Sequence, residues 1–106
     1  MILNAEMDGK ELTITLLGDL NISTAPRLAD IIDSKIDDIT SLVLDFAECD
    51  YVSSAGLRVL LSTYKTLKKN LGTMRLLNVG EGFKDVLECT ALDAVFDIEY
   101  RPDVIE

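Results

Sequence analysis

The chain has 106 residues, 48% of them apolar, with 19 acidic against 10 basic residues, a net charge of −9 and no histidine. That length favours one domain, residues 1–106, with a buried core, and the acidity argues against nucleic acid or an anionic membrane surface as partner, leaving plain solubility or a basic partner as its reason. Without histidine, neither a Ser-His-Asp nor a Cys-His mechanism can be built within the chain, and the GxSxG nucleophile elbow is missing too.

The opening segment MILNAEMDGK has no basic n-region and no long apolar stretch, so no signal peptide is expected. Charges interrupt every apolar run before membrane-spanning length, so no membrane insertion is expected and the cytoplasm is the expected compartment. Ile2–Glu6 reads as a short strand, and Asp8-Gly9 as a two-residue hairpin turn. Glu11–Leu17 alternates, with Leu12, Ile14 and Leu16 on one face. Gly18–Asn21 is a loop. Ser23 or Thr24 is the expected cap of a helix with Pro26 in its first turn and Leu28, Ile31, Ile32 and Ile36 inward. Ser41–Phe46, SLVLDF, has the continuous apolar character of a strand covered on both faces.

After a loop over Ala47–Val52, the spacing predicts a helix from Ser54 to about Asn70. Its expected buried stripe is Leu57, Leu60, Leu61, Tyr64, Leu67 and Leu71, with Gly72 as its end. Met74–Val79 reads as a further strand, and Gly80-Glu81-Gly82 as the turn into a short helix burying Phe83, Val86 and Leu87. Phe96–Tyr100 is the last expected strand, and the tail from Arg101 either frays or docks. The order ββαβαβαβ implies an α/β fold: one mixed, mostly parallel sheet with helices packed against it. Cys49 and Cys89 form no CxxC, and with no histidine they offer neither a metal site nor a disulfide framework. Cys89 is expected in the core and Cys49 in the loop.

The stretch YVSSAGLRVLL, residues 51–61, places two hydroxyls where a strand hands over to a helix. One serine is explained as a helix cap, with Ser54 at or next to the cap position and Ser53 ending the loop. Gly56 is not, because glycine in a first turn costs about 1 kcal/mol relative to alanine. A bare helix N-terminus flanked by small residues would let another surface approach closely, and would tolerate a phosphate on the hydroxyl. A response-regulator receiver would need an acidic pair after its first strand, which is missing. The Gly80-Glu81-Gly82 turn has neither the lysine nor the GxGxxG spacing of a phosphate loop.

YVSSAGLRVLL after LVLDFAECD, together with LLGDLNISTAPRL upstream, resembles the STAS domain, in particular the stand-alone anti-sigma-factor antagonists of bacteria. The resemblance spans the chain in length and element order. It implies a binding protein rather than an enzyme, with no cofactor and no metal. The implied partner is an anti-sigma factor that is itself a serine kinase of the GHKL-type ATP-binding fold. That kinase phosphorylates the antagonist and ends binding, and a PP2C-type phosphatase reverses the modification. Aligned on Gly56, the implied acceptor is Ser54, with Ser53 second. The family pattern Asp-Ser-Ser/Thr-Gly stands here as Ser53-Ser54-Ala55-Gly56, and Gly-Glu-Leu-Asp as Gly18-Asp19-Leu20-Asn21. Two family acids thus correspond to Ser53 and Asn21, which keep hydrogen-bonding capacity and lose charge, so the resemblance supports binding more strongly than phosphorylation. Asp19, Asp45 or Asp50 are the candidates to supply charge instead.

The implied partner surface comprises Asp19, Asn21, Tyr51, Ser53, Ser54, Ala55, Gly56 and Arg58, with Thr63 exposed at its edge. For Arg58 a solvated helix residue is as good an account. Tyr51 is either a lid over the core edge, slightly favoured, or a contact. The alternative function is a non-phosphorylated STAS scaffold or sensor module in a larger signalling or transport assembly.

Overall fold

The computed structural model describes residues 1–104. Glu11–Leu17 forms strand β2 with Leu12, Ile14 and Leu16 fully buried, as the alternation dictates. It pairs antiparallel with β1, Ile2–Asp8, through the register Asp8↔Glu11. The connecting turn is therefore Gly9-Lys10, one residue beyond the expected Asp8-Gly9, and only Gly9 has positive φ, at +61°. That is the glycine-first pattern of a type II′ hairpin. Helix α1, Ala25–Lys35, follows and ends in a single 3-10 turn at Ile36–Asp38. The remaining elements are β3 (Ser41–Glu48), α2 (Ser54–Lys69), β4 (Thr73–Val79), α3 (Glu81–Cys89) and β5 (Asp97–Tyr100). Among the described residues no helix is long and apolar enough to cross a membrane.

The strands lie in the order β1-β2-β3-β4-β5, and every pair after the first is parallel. Each β-α-β connection steps one strand in the same direction. Right-handed crossovers then put every helix on the same face of the sheet. The core has that one-sided form: Leu28 and Ile32 of α1, Leu57, Leu60 and Leu67 of α2, and Phe83 and Leu87 of α3 join Leu12, Ile14 and Leu16 of β2, Leu42, Leu44 and Phe46 of β3, and Met74, Leu76 and Val79 of β4. Phe46 and Phe83 meet there with ring centroids 4.9 Å apart.

The expectation that β3 is covered on both faces holds only in part: the helices cover one face, and on the other Val43 is buried while Ser41 and Asp45 are half-exposed. Thr13, Val43, Arg75 and Asp97 form one row across the opposite face. Val43 is buried but stands outside the helix-side core, while Arg75 bridges Asp97 at 3.3 Å and Glu99 at 3.2 Å.

The end of α2 also departs from the apolar stripe. Leu71 is 93% exposed and adopts φ +62°. The amide of Gly72 donates to the Leu67 carbonyl at 2.6 Å and that of Leu71 to Lys68 at 3.1 Å, which closes the helix as a Schellman motif. The left-handed position thus falls on a leucine, and Gly72 comes one residue after it. A side chain there costs roughly 1–2 kcal/mol, and glycine's greater freedom in the unfolded chain gives back part of that. Leu71→Gly is expected to raise stability by about 0.5–1 kcal/mol, read as a higher urea midpoint at unchanged slope. An unchanged or lower midpoint would show that the left-handed leucine carries no strain.

Candidate functional site

The parallel strands β2 and β3 deliver two loops to the same end of the sheet, residues 18–24 and 49–53. Backbone hydrogen bonds sew them together: Gly18 N–H to the Glu48 carbonyl at 3.0 Å, Leu20 N–H to Tyr51 at 2.9 Å, and Ser53 N–H to Leu20 at 2.8 Å. Leu20 and Val52 form an isolated parallel bridge and are both buried, plugging the core beneath the loops. Gly56 packs against that plug. A Cβ at Gly56 would lie 2.8 Å from Leu20 Cγ and 3.0 Å from Val52 Cγ1. The glycine therefore admits the protein's own loops. Being buried, Gly56 offers no outer surface, contrary to its place in the expected contact set.

The two serines divide the work differently from the expectation. Ser53 is the N-cap of α2, and its hydroxyl accepts from the Gly56 amide at 3.4 Å. Ser54 is the first helical residue and is exposed, and its hydroxyl has no hydrogen bond among the described residues. Asn21 is half-buried and acts inward: its Oδ1 accepts from the amides of Ser23 at 2.9 Å and Thr24 at 3.2 Å. Its own amide donates to Thr24 Oγ1 at 2.8 Å, and the Thr24 hydroxyl donates to the Asp19 carbonyl at 2.8 Å. Thr24 occupies the N-cap position of α1 without a capping side-chain bond. The Asn21 side chain serves the amides just ahead of α1, and its backbone carbonyl accepts from the Ala25 amide at 2.8 Å.

On the two loops that precede Ser54 in the fold, exposed residues include Asp19, Tyr51 at 54% and Ile22 at 79%. Tyr51 is thus an outward group rather than a lid on the core. Ile22 was missed from sequence; its signal was a lone apolar residue inside a polar capping turn. Ala55 is half-buried beside Ser54. Arg58, one turn further along α2, is exposed and lines a cleft of about 230 Å³ between α1 and α2 with Ala29, Asp33, Val59, Ser62 and Thr63. Thr63, expected at the exposed edge, is only 7% exposed because α1 packs across it. Of the candidate acids, Asp45 accepts from Asn78 Nδ2 at 2.9 Å and the Ala47 amide at 3.0 Å, and Asp50 pairs with Arg101 at 2.8 Å.

The STAS domain family model matches residues 3–104. The chain belongs to the STAS domain family. The anti-sigma-B factor antagonist of Bacillus subtilis is 22% identical to this STAS domain, with 94% of this chain and 92% of that protein covered. The crystal structure of an anti-sigma factor antagonist from Mycobacterium paratuberculosis is 25% identical and superposes with a TM-score of 0.81, covering 97% of this chain and 86% of that one. The phosphorylated form of the Bacillus cell fate determinant SpoIIAA is 20% identical, with a TM-score of 0.76 over 92% of this chain and 90% of that one.

Two further residues of this STAS domain, Arg101 and Cys49, face inward at the serine loop. Arg101 docks, so the segment after β5 does not fray at that point; Ile105 and Glu106 lie outside the described residues. Cys89, expected in the core, is exposed, and Cys49, in the loop as expected, is fully buried. Cys89 sits on the outer face of α3, whereas Cys49 points from the loop into the core. Burial pushes the Cys49 thiol up to about 11, the nearby charges of Asp19 and Asp50 add to that, and backbone hydrogen bonds at Leu20 and Tyr51 oppose it.

The folded state therefore holds the Cys49 proton where the unfolded chain, at the ordinary 9.0, releases it. The resulting stability is full below about pH 9 and declines as pH rises toward 11, by on the order of 2 kcal/mol. Native protein at about pH 8 is expected to titrate one thiol with a disulfide reagent, Cys89, and a second only in denaturant. Two rapid equivalents in native buffer would contradict the burial of Cys49.

Proposed function

We propose that this STAS domain is an anti-sigma-factor antagonist acting in the cytoplasm, and that its partner is an anti-sigma factor of the GHKL-type serine-kinase fold. In this reading the partner binds the surface formed by Asp19, Ile22, Tyr51, Ser54, Ala55 and the first turns of α2 up to Arg58. Phosphorylation of Ser54 ends binding, and a PP2C-type phosphatase restores it. The observation that carries the reading is the division between the serines: Ser54 presents an exposed, unbonded hydroxyl, while Ser53 is taken up in the cap. The first amides of a helix have no intrahelical partner and favour negative charge, so a phosphate at Ser54 leaves the fold intact. The same dianion brought against an apolar or acidic partner surface is costly.

The test incubates the purified chain with Mg-ATP and each kinase-type anti-sigma factor of its own genome, followed by intact mass and site-localising fragmentation. One phosphate at Ser54, abolished in Ser54→Ala, is the expected result. A phosphate confined to Ser53 would overturn the assignment, and none with any kinase would overturn the switch. A second reading, the non-phosphorylated scaffold or sensor module, draws on Asn21 and Ser53, which replace the family acids and are spent on internal hydrogen bonds. Pull-down separates the two, by recovering a kinase-type anti-sigma factor or a different assembly.

A further inference from the structure

We propose that Arg101 holds the serine loop in its binding shape, as a positioning residue that acts through the backbone of residues 46–50. The proposal rests on the reading of that loop as partner surface. Arg101 follows β5, and its amide donates to the Val79 carbonyl at 3.0 Å. Every nitrogen of its guanidinium is used. Nε donates to the Asn78 carbonyl at 3.0 Å, and Nη2 to the carbonyls of Phe46 at 2.7 Å and Cys49 at 3.4 Å. Nη1 lies 2.8 Å from Asp50 Oδ1. A planar fork can meet three carbonyls and a carboxylate from one position, which a lysine ammonium cannot.

Two further features accommodate this side chain. A Cβ at Gly80 would lie 2.8 Å from Nη1 and 2.9 Å from Cζ, so a larger residue there would collide with the guanidinium. The β4–β5 register breaks between Leu76 and Val79, and Asn78 adopts φ +57° in that break, where its carbonyl meets Arg101. On its other side the same loop is held by the backbone bonds to Gly18 and Leu20. Residues 46–50 are therefore clamped between Arg101 and the β2–α1 loop, and the chain runs directly from that clamp into Tyr51, Ser53 and Ser54. Asp50 is 82% exposed at its side chain, so it supplies counter-charge while the carbonyls fix the position.

Buried Cys49, whose carbonyl is one of the clamped groups, reports on the clamp. In a Cys89→Ser background, Arg101→Gln is expected to speed labelling of Cys49 in native buffer by at least about tenfold, beyond what its own urea curve allows through global unfolding. Arg101→Lys should fall between Gln and wild type. Affinity for the anti-sigma factor recovered by wild-type chain should drop in the same order, at a temperature where each variant is fully folded. Labelling no faster than global unfolding permits, or undiminished affinity in Arg101→Gln, overturns the proposal. If Arg101→Gln does not fold, Arg101→Lys is read by the same two measurements. If the wild-type chain recovers no anti-sigma factor, the functional reading fails, and the Cys49 rate alone decides whether Arg101 clamps the loop.

Discussion

Ser54→Asp is expected to weaken binding of the anti-sigma factor by tens-fold or more while leaving the melting temperature nearly unchanged. The two halves of that result come from different places. Within the domain, Ser54 is the first residue of α2 and exposed, so its replacement leaves no broken hydrogen bond. A carboxylate in the first turn gains about 0.3–1 kcal/mol from the helix dipole, so stability holds or rises slightly. Across the interface, a carboxylate must be desolvated against a surface that meets a neutral serine, with only exposed Arg58 one turn further on to offset it, and a penalty of about 3 kcal/mol is roughly a hundredfold in Kd. Calorimetric binding and thermal melts on the same samples check both halves. Affinity within a few-fold of wild type would place Ser54 outside the interface. A fall in affinity that merely tracks a falling melting temperature would make the effect structural.

Gly56→Ala is expected to destabilise the fold, although alanine is the better helix former. The propensity gain is at most about 1 kcal/mol. Against it stands a Cβ placed 2.8 Å from Leu20 Cγ, a branch point of a fully buried side chain that has no free end to swing away. Overpacking of that kind costs about 1–3 kcal/mol, so the clash wins. Gly56→Val adds two methyls to the same contact and is expected to lose about 3 kcal/mol or more, a fall on the order of 10–20 °C in a domain of this size. The mechanism is checked by a cycle with Leu20→Ala. That change is itself destabilising by roughly 2–5 kcal/mol, but it empties the space beside Gly56. In its background Gly56→Ala should cost nothing or gain. A purely additive cycle would mean that the glycine serves the backbone and not the contact with Leu20.

The fold was legible where a periodic pattern meets one continuous partner. Leu12, Ile14 and Leu16 announce a strand with one buried face, and Leu57, Leu60 and Leu67 a helix, because period alone decides which side of each element is dry. What was not legible depends on a neighbour that the local sequence does not name. Helical spacing assigns Leu71 to the buried stripe, yet the chain has left the helix by then. Thr63 reads as an edge residue until α1 is laid across it. Cys49 and Tyr51 are two residues apart in one loop, and only the docking of that loop on Leu20 sends one in and the other out. Ser53 and Ser54 are interchangeable as letters; the cap geometry separates them. Arg101 had no signal at all, since its acceptors Phe46 and Cys49 stand 55 and 52 residues earlier and are main-chain carbonyls, which any residue provides.

The strand order has a consequence for how the molecule is assembled. Because each strand joins the sheet beside the one made just before it, the domain can be laid down stepwise in the direction of synthesis, with little waiting for distant partners. The clamp on the serine loop is the exception, since Arg101 comes after all five strands in chain order. A nascent chain that has emerged only as far as β4 already has the sheet neighbours of β3 in place, but not the guanidinium that fixes residues 46–50. The surface proposed for the partner therefore lacks one of its fixings until residue 101 has left the ribosome, however early the sheet around β3 has formed.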